Sequence, residues 1–355
     1  MRRLAAVVLF VGAISASASA QGKLSGLAYF DYSYNVSRDS LAGSFTNAAL
    51  KGAKADQALQ FRRIYFTYDY NISESAATRF RVEADQSSLT SDGKIGVAVK
   101  DAYVKLKKIF GNSDLIFGLQ PTPAFDISEG VWGYRSLEKT IMDLRGIVSS
   151  RDLAIALRGK LDNDGKFGYW VMLGDGTGNK PETDKYKRYY GHLDWSPSSM
   201  VKLNVYGDYL ARADVPDPYK GTKVSNSTLT TGGFLGLFPT DNFRICAEGF
   251  LQSTSNGFNT GTALKSRSGL GLSFFAIYGL NPDLDAIVRY DLFDPNTNSS
   301  SKGDSRNYII GALAWKVEKN ISIMPNVQVE TYEKSASGKT YDASITGRLT
   351  VYWSF

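Results

Sequence analysis

A two-residue alternation running almost from end to end constrains this chain more than any other feature. In the closing run YDASITGRLTVYWSF, one parity reads Tyr341, Ala343, Ile345, Gly347, Leu349, Val351, Trp353 and Phe355. The other reads Asp342, Ser344, Thr346, Arg348, Thr350, Tyr352 and Ser354. Strand side chains point alternately to opposite faces, so such a run has one apolar and one polar face. Helical periodicity is nearly absent. Sixteen runs can be read, at 24–36, 57–70, 76–86, 96–108, 114–120, 151–160, 167–175, 187–195, 200–213, 228–238, 243–254, 268–279, 284–294, 305–318, 321–334 and 339–355.

A soluble antiparallel sheet also alternates, with its apolar face on a core. The polar face decides against that here. The run 76–86 puts Thr78, Phe80, Val82 and Ala84 on one side and Arg79, Arg81, Glu83 and Asp85 on the other. The run 57–70 opposes Ile64, Phe66, Tyr68 and Tyr70 to Arg63, Tyr65, Thr67 and Asp69. A dry core cannot absorb so many charges, each costing several kcal/mol or more if unpaired. A water-filled interior can. The expected fold is therefore all-β, a transmembrane antiparallel barrel of about sixteen strands with lipid on the apolar face. Closure is required because each backbone amide in hydrocarbon needs a partner.

Connection lengths support this. Short links (71–75, 109–113, 161–166, 196–200, 239–242, 281–283 and the bend at Lys319 and Asn320) alternate with longer ones, including 37–56, 121–150, 176–186, 214–227, 255–267 and 295–304. Short periplasmic turns and long outer loops are the rhythm of single-chain bacterial barrels. Sixteen strands enclose an aqueous channel, where about eight would be filled by side chains.

The first twenty residues form an export signal: Arg2 and Arg3, the apolar run from Leu4 to Ile14, then small residues ending at Ala20. Cleavage there leaves residues 21–355 as one barrel domain and lowers the formal charge from +6 to +4. That mild balance does not suggest a nucleic-acid binder. The single cysteine, Cys246, excludes an intrachain disulfide.

Parity assigns the lumen. Basic residues expected there are Arg63, Arg79, Arg81, Lys105, Lys107, Arg158, Lys160, Arg188, Lys202, Arg212, Arg244, Arg289, Lys316 and Arg348. Acidic ones are Asp31, Asp69, Glu83, Asp85, Asp101, Asp194, Asp208, Glu248, Asp291, Glu330 and Asp342. Fourteen against eleven implies at most a slight anion preference.

Residues 115–179 resemble the phosphate-selective porin O and P family. The stretch LIFGLQPTPAFDISEGVWGYRSLEKTIMDLRGIVSSRDLAIALRGKL, followed by YWVMLGDGTGN, is similar to that family's pattern: a Gly-Gln-Pro turn after a strand, an Arg-Ser-Leu-Glu element, an Arg-Asp before the next strand and a Gly-rich turn. The match covers about a fifth of the chain. The resemblance implies a passive, usually trimeric outer-membrane channel whose third outer loop folds into the pore. Family members that select phosphate carry a basic ladder, whereas the lumen here mixes signs. Loop 121–150 is accordingly the expected constriction, with Asp126, Glu129, Trp132, Tyr134, Arg135, Glu138, Lys139, Asp143 and Arg145 at the narrowest point. Arg135, Lys139 and Arg145 would attract anions and the carboxylates would temper them. The terminal VYWSF, ending in Phe355, resembles the signal read by the outer-membrane assembly machinery. Expected partners are the bilayer, lipopolysaccharide, that machinery, two further copies and small permeating anions or nutrients.

Other features point elsewhere only weakly. His192 beside Asp194 could belong to a triad, but a solvated lumen histidine fits better. The segment Asp162-Asn163-Asp164-Gly165 has calcium-loop chemistry without the later glutamate, and reads as a tight turn. The glycines of GDGTGN could cradle a phosphate, yet no helix follows to present its N-terminus. No cofactor or metal site is expected. An outer-membrane enzyme would need a His-based or metal-based site, an adhesin long sticky loops.

Overall fold

The computed structural model describes residues 22–39, 52–85, 89–298 and 301–355. The export segment 1–20 lies outside them. Sixteen strands close one antiparallel barrel: β1 Gly22–Ser37, β2 Gln57–Asn71, β3 Ala76–Ala84, β4 Ala98–Phe110, β5 Ser113–Pro121, β6 Arg151–Lys160, β7 Phe167–Gly174, β8 Arg188–Ser198, β9 Val201–Leu210, β12 Thr228–Thr240, β13 Phe243–Asn259, β14 Leu264–Asn281, β15 Leu284–Asp294, β16 Arg306–Glu318, β17 Ile321–Tyr332 and β18 Ser344–Ser354. Two-residue strands β10 (Val215–Pro216) and β11 (Lys223–Val224) pair with each other in the connection after β9. Every expected run is a barrel strand. The link expected at 255–267 shrinks, because β13 and β14 continue pairing as far as Asn259 and Leu264.

Each barrel strand pairs with the next barrel strand along the chain, β9 with β12 across the β10–β11 connection, and β1 closes the ring on β18 with Asp31 opposite Thr350. The last backbone groups are paired too, Gly26 and Phe355 exchanging two hydrogen bonds of 2.9 and 3.0 Å. No barrel edge is left to meet lipid.

The alternation maps onto the wall. Leu349 is 42% exposed on the outside, whereas Arg348 and Thr350 are buried inside. Tyr189 and Trp195 face out near opposite ends of β8. Six residues span roughly 20 Å, close to the height of an outer-membrane apolar band.

Parity fails at two bulges. Opposite β1 the register of β2 jumps between Arg63 and Phe61, so Arg62 also turns inward and pairs with Asp31 at 3.2 Å. On β4 the register jumps between Asp101 and Val99, which buries Lys100 against Glu83 at 2.7 Å. An inserted residue re-aims its neighbours, which strict alternation cannot anticipate.

Candidate functional site: the loop across the lumen

Residues 121–150 leave the wall at β5 and return at β6. Thr122 ties the two ends together, its hydroxyl donating to the Ser149 carbonyl at 2.7 Å and its amide to that of Ser150 at 3.2 Å. A 3-10 turn, Pro123–Phe125, leads into the helix Asp126–Trp132. Gly133 ends this helix at φ 70°, a left-handed conformation that glycine adopts without strain. A second short helix, Ile141–Leu144, follows.

The loop is held from all round the barrel. Ser128 donates to Glu248 of β13 at 2.9 Å, and the Tyr134 hydroxyl bonds Asp285 of β15. Arg62 of β2 donates to the carbonyls of Ser136 at 2.8 Å and Leu137 at 3.1 Å. Gln328 of β17 also reaches Leu137, and Gln252 of β13 reaches the carbonyl of Ile147 at 3.0 Å. Apolar side chains complete the docking: Ile127, Leu137, Ile141, Met142 and Val148 are all buried. Each such burial contributes about 1.5–3 kcal/mol.

The expected constriction residues divide into two groups. Trp132 is fully buried, edge-on to Phe275 and beneath the Arg289 guanidinium, so it anchors the loop instead of bordering open space. Arg145 pairs with Glu330 at 2.8 Å, with only 4% of its side chain exposed. Glu138 is buried beside Arg62, and the carbonyl of Lys139 accepts from Arg289. Burial pushes the Glu138 carboxyl up, but Arg62 and Arg348 outweigh it and hold it below its ordinary range. Asp143 behaves likewise beside Arg135 and Lys139. Asp126, Glu129 and Arg135 border a cavity of about 780 Å³ between loop and wall. Arg135 there pairs with Glu129 at 2.5 Å and Asp143 at 2.6 Å.

Of the basic lumen residues assigned by parity, Arg81, Arg244 and Lys316 also line this cavity. Arg79, Lys105 and Lys107 line a smaller one of about 400 Å³ beside the short turns. Arg158 stacks on Trp170 at 4.3 Å and pairs with Asp126 at 2.8 Å. Arg63 meets Glu83, Arg188 meets Asp208, Arg289 meets Asp291 and Arg348 meets Asp31. Sequence parity missed Arg62, Lys100 and Arg151, the last bonded to Asp101.

His192 is not solvated. The docked loop covers it, its Nδ1 lies 3.1 Å from the Pro123 carbonyl, and only 5% of the residue is exposed. Asp162 accepts from the amides of Lys166 and Phe167 at 3.0 and 2.8 Å, as a tight turn requires. The amides of Gly176 and Gly178 are used by the Asp152 carboxylate at 3.0–3.2 Å, leaving no phosphate cradle.

A closed sixteen-stranded barrel with charges inside, apolar residues outside and a long connection folded into its lumen has the architecture of outer-membrane porins. No protein-family model and no curated protein sequence matches the chain. Solved structures do match it. The outer-membrane channel DcaP of Acinetobacter baumannii aligns with a TM-score of 0.66 at 12% identity, over 94% of this chain and 97% of that one. The anion-selective porin from Comamonas acidovorans gives 0.63 at 12% identity, over 94% and 99%. OprB of Pseudomonas putida gives 0.61 at 12% identity, over 98% and 97%. At these identities the likeness establishes the fold.

Proposed function

We propose that this protein is an outer-membrane porin through which small hydrophilic solutes diffuse passively, with a slight preference for anions and with loop 121–150 as its constriction. It works as a channel, not as an enzyme or adhesin. The observation that carries this reading is the loop itself, which is anchored to strands around the lumen wall and leaves a charge-lined cavity of about 780 Å³ beside it that we take as the passage. Five basic residues of that passage (Arg81, Arg135, Arg151, Arg244 and Lys316) face three acidic ones, Asp126, Glu129 and Asp285. The anion-selective porin among the similar structures supports the sign of the preference. Phosphate as a permeant, trimeric assembly, lipopolysaccharide contacts, cleavage after Ala20 and recognition through Phe355 belong to the same proposal.

The test is conductance in planar bilayers. Intact protein should form ohmic pores, and deleting 126–143 while keeping both flanking strands should enlarge them and weaken selectivity. A field concentrated by a narrow passage is lost when the passage opens. Absence of conductance from intact protein would sink the porin reading. A folded truncated barrel that conducts like the intact one would remove only the constriction assignment.

A further inference from the structure

Four of the five cations bordering the passage are already engaged by carboxylates. Arg81 and Arg151 share Asp101, Arg135 is held by Glu129 and Asp143, and Lys316 lies 3.3 Å from Asp285. The acidic groups are likewise taken, Asp126 by Arg158. Arg244 differs. It has no ion pair and no hydrogen bond among the described residues, and its Nε is buried without a partner. Its neighbour on β13, Ile245, faces lipid, so the Arg244 guanidinium projects inward. There it meets the loop where the helix ends: a β-carbon built on Gly133 would lie 3.8 Å from Arg244 Nη2.

We propose that Arg244 is the selectivity residue of the pore and forms, with the Gly133–Tyr134 segment facing it, a transit site for small organic monocarboxylates. The inference rests on the porin reading and adds its substrate class. The other four cations are already held by carboxylates, so Arg244 is the one of the five whose guanidinium is free to take a passing anion. With Nε covered, its two Nη groups form a fork that matches the two oxygens of a carboxylate. One free cation offsets one negative charge, which favours a monoanion over a dianion. Apolar groups in the same passage, Tyr29, Phe125, Met324 and Tyr352, suit a carbon skeleton more than a fully hydrated inorganic ion.

Reversal potentials across salt gradients test this in wild-type, Arg244→Gln and Arg244→Lys pores, with chloride, acetate, butyrate or phosphate as the anion. Folding of each variant is checked by its migration before and after boiling. Wild type should prefer anions and pass butyrate and acetate better, relative to free-solution mobility, than chloride or phosphate. In Arg244→Gln the anion-to-cation permeability ratio should fall about sixteenfold, because one unit charge acting across about 5 Å of water favours the anion about fourfold and disfavours the cation about fourfold. Arg244→Lys keeps the charge without the fork, so it should retain the anion preference and lose the preference for carboxylates. An unchanged reversal potential in Arg244→Gln overturns the assignment. Phosphate outrunning the carboxylates overturns the substrate class, and failure of both variants to fold makes Arg244 structural and also overturns it. A wild-type protein that does not conduct refutes the porin reading instead, so the two failures are distinguishable.

Discussion

Residues that hold the loop and residues that border the cavity beside it are largely different sets, although Asp285 belongs to both. Arg62 is the clearest case of the first kind. Its guanidinium joins Asp31, Glu138 and two loop carbonyls, and only 14% of the side chain is exposed. Removing one member of a buried charge network costs about 3–5 kcal/mol, because its partners stay charged and buried. Arg62→Gln should therefore loosen the loop while leaving the barrel intact, giving larger and noisier single-channel currents. A quiet pore of unchanged size would show that Arg62 does not hold the loop. Nothing in the sequence marks this residue, since Arg63 takes the inward parity and only the bulge on β2 brings Arg62 in beside it. Glu138 and Asp143 bear on pH. Both carboxyls are held below their ordinary values, so the docking they contribute is complete above the ordinary carboxylate range and is lost as pH falls through their depressed values. The docking carried by these two carboxyls should leave conductance unchanged from neutral pH down to about 5 and alter it only below about 4. A step near pH 6 would mean that some other group controls the loop.

Strands were far more legible than the loop, for a physical reason. A strand in a barrel wall is specified locally: its period is two, one face must suit hydrocarbon and turn residues bound it. All sixteen runs could be found this way, and only their ends moved, as where β13 extends to Asn259. The loop is specified by distant partners. Ser128 meets Glu248 and Leu137 meets Gln328, 120 and 191 positions apart. Length and charge pointed to a loop inside the pore, but could not separate anchors such as Trp132 and Arg145 from the groups that border the passage. At the scale of one strand the register is testable on β18. Leu349 faces lipid, and an arginine there costs about 2–4 kcal/mol near the bilayer midplane. Thr350 points inward and bonds Asp31 at 2.6 Å, so an arginine there would meet a carboxylate instead of hydrocarbon. Leu349→Arg should sharply reduce the amount of assembled barrel, and Thr350→Arg should reduce it less. Equal yields would contradict the register.

The whole molecule is stabilised by being closed. An open sheet can fray from an edge, but here β1 pairs with β18 over Leu27 to Ser37, so no strand can leave without breaking ladders on both sides. In detergent or lipid those broken groups find no water, and each unsatisfied one costs several kcal/mol. No disulfide shares the task, since the single cysteine, Cys246, is free and buried. Resistance to detergent should therefore depend on ring closure and not on redox conditions. Unboiled protein should migrate as a compact folded species on a denaturing gel and boiled protein as an extended one, with or without reductant. Removing residues 344–355 deletes β18 and leaves β1 and β17 as exposed edges, so that variant should give only the extended band. Wild-type protein migrating identically before and after boiling would show that closure does not confer the resistance, and a compact band from the truncated chain would show that β18 is dispensable to it.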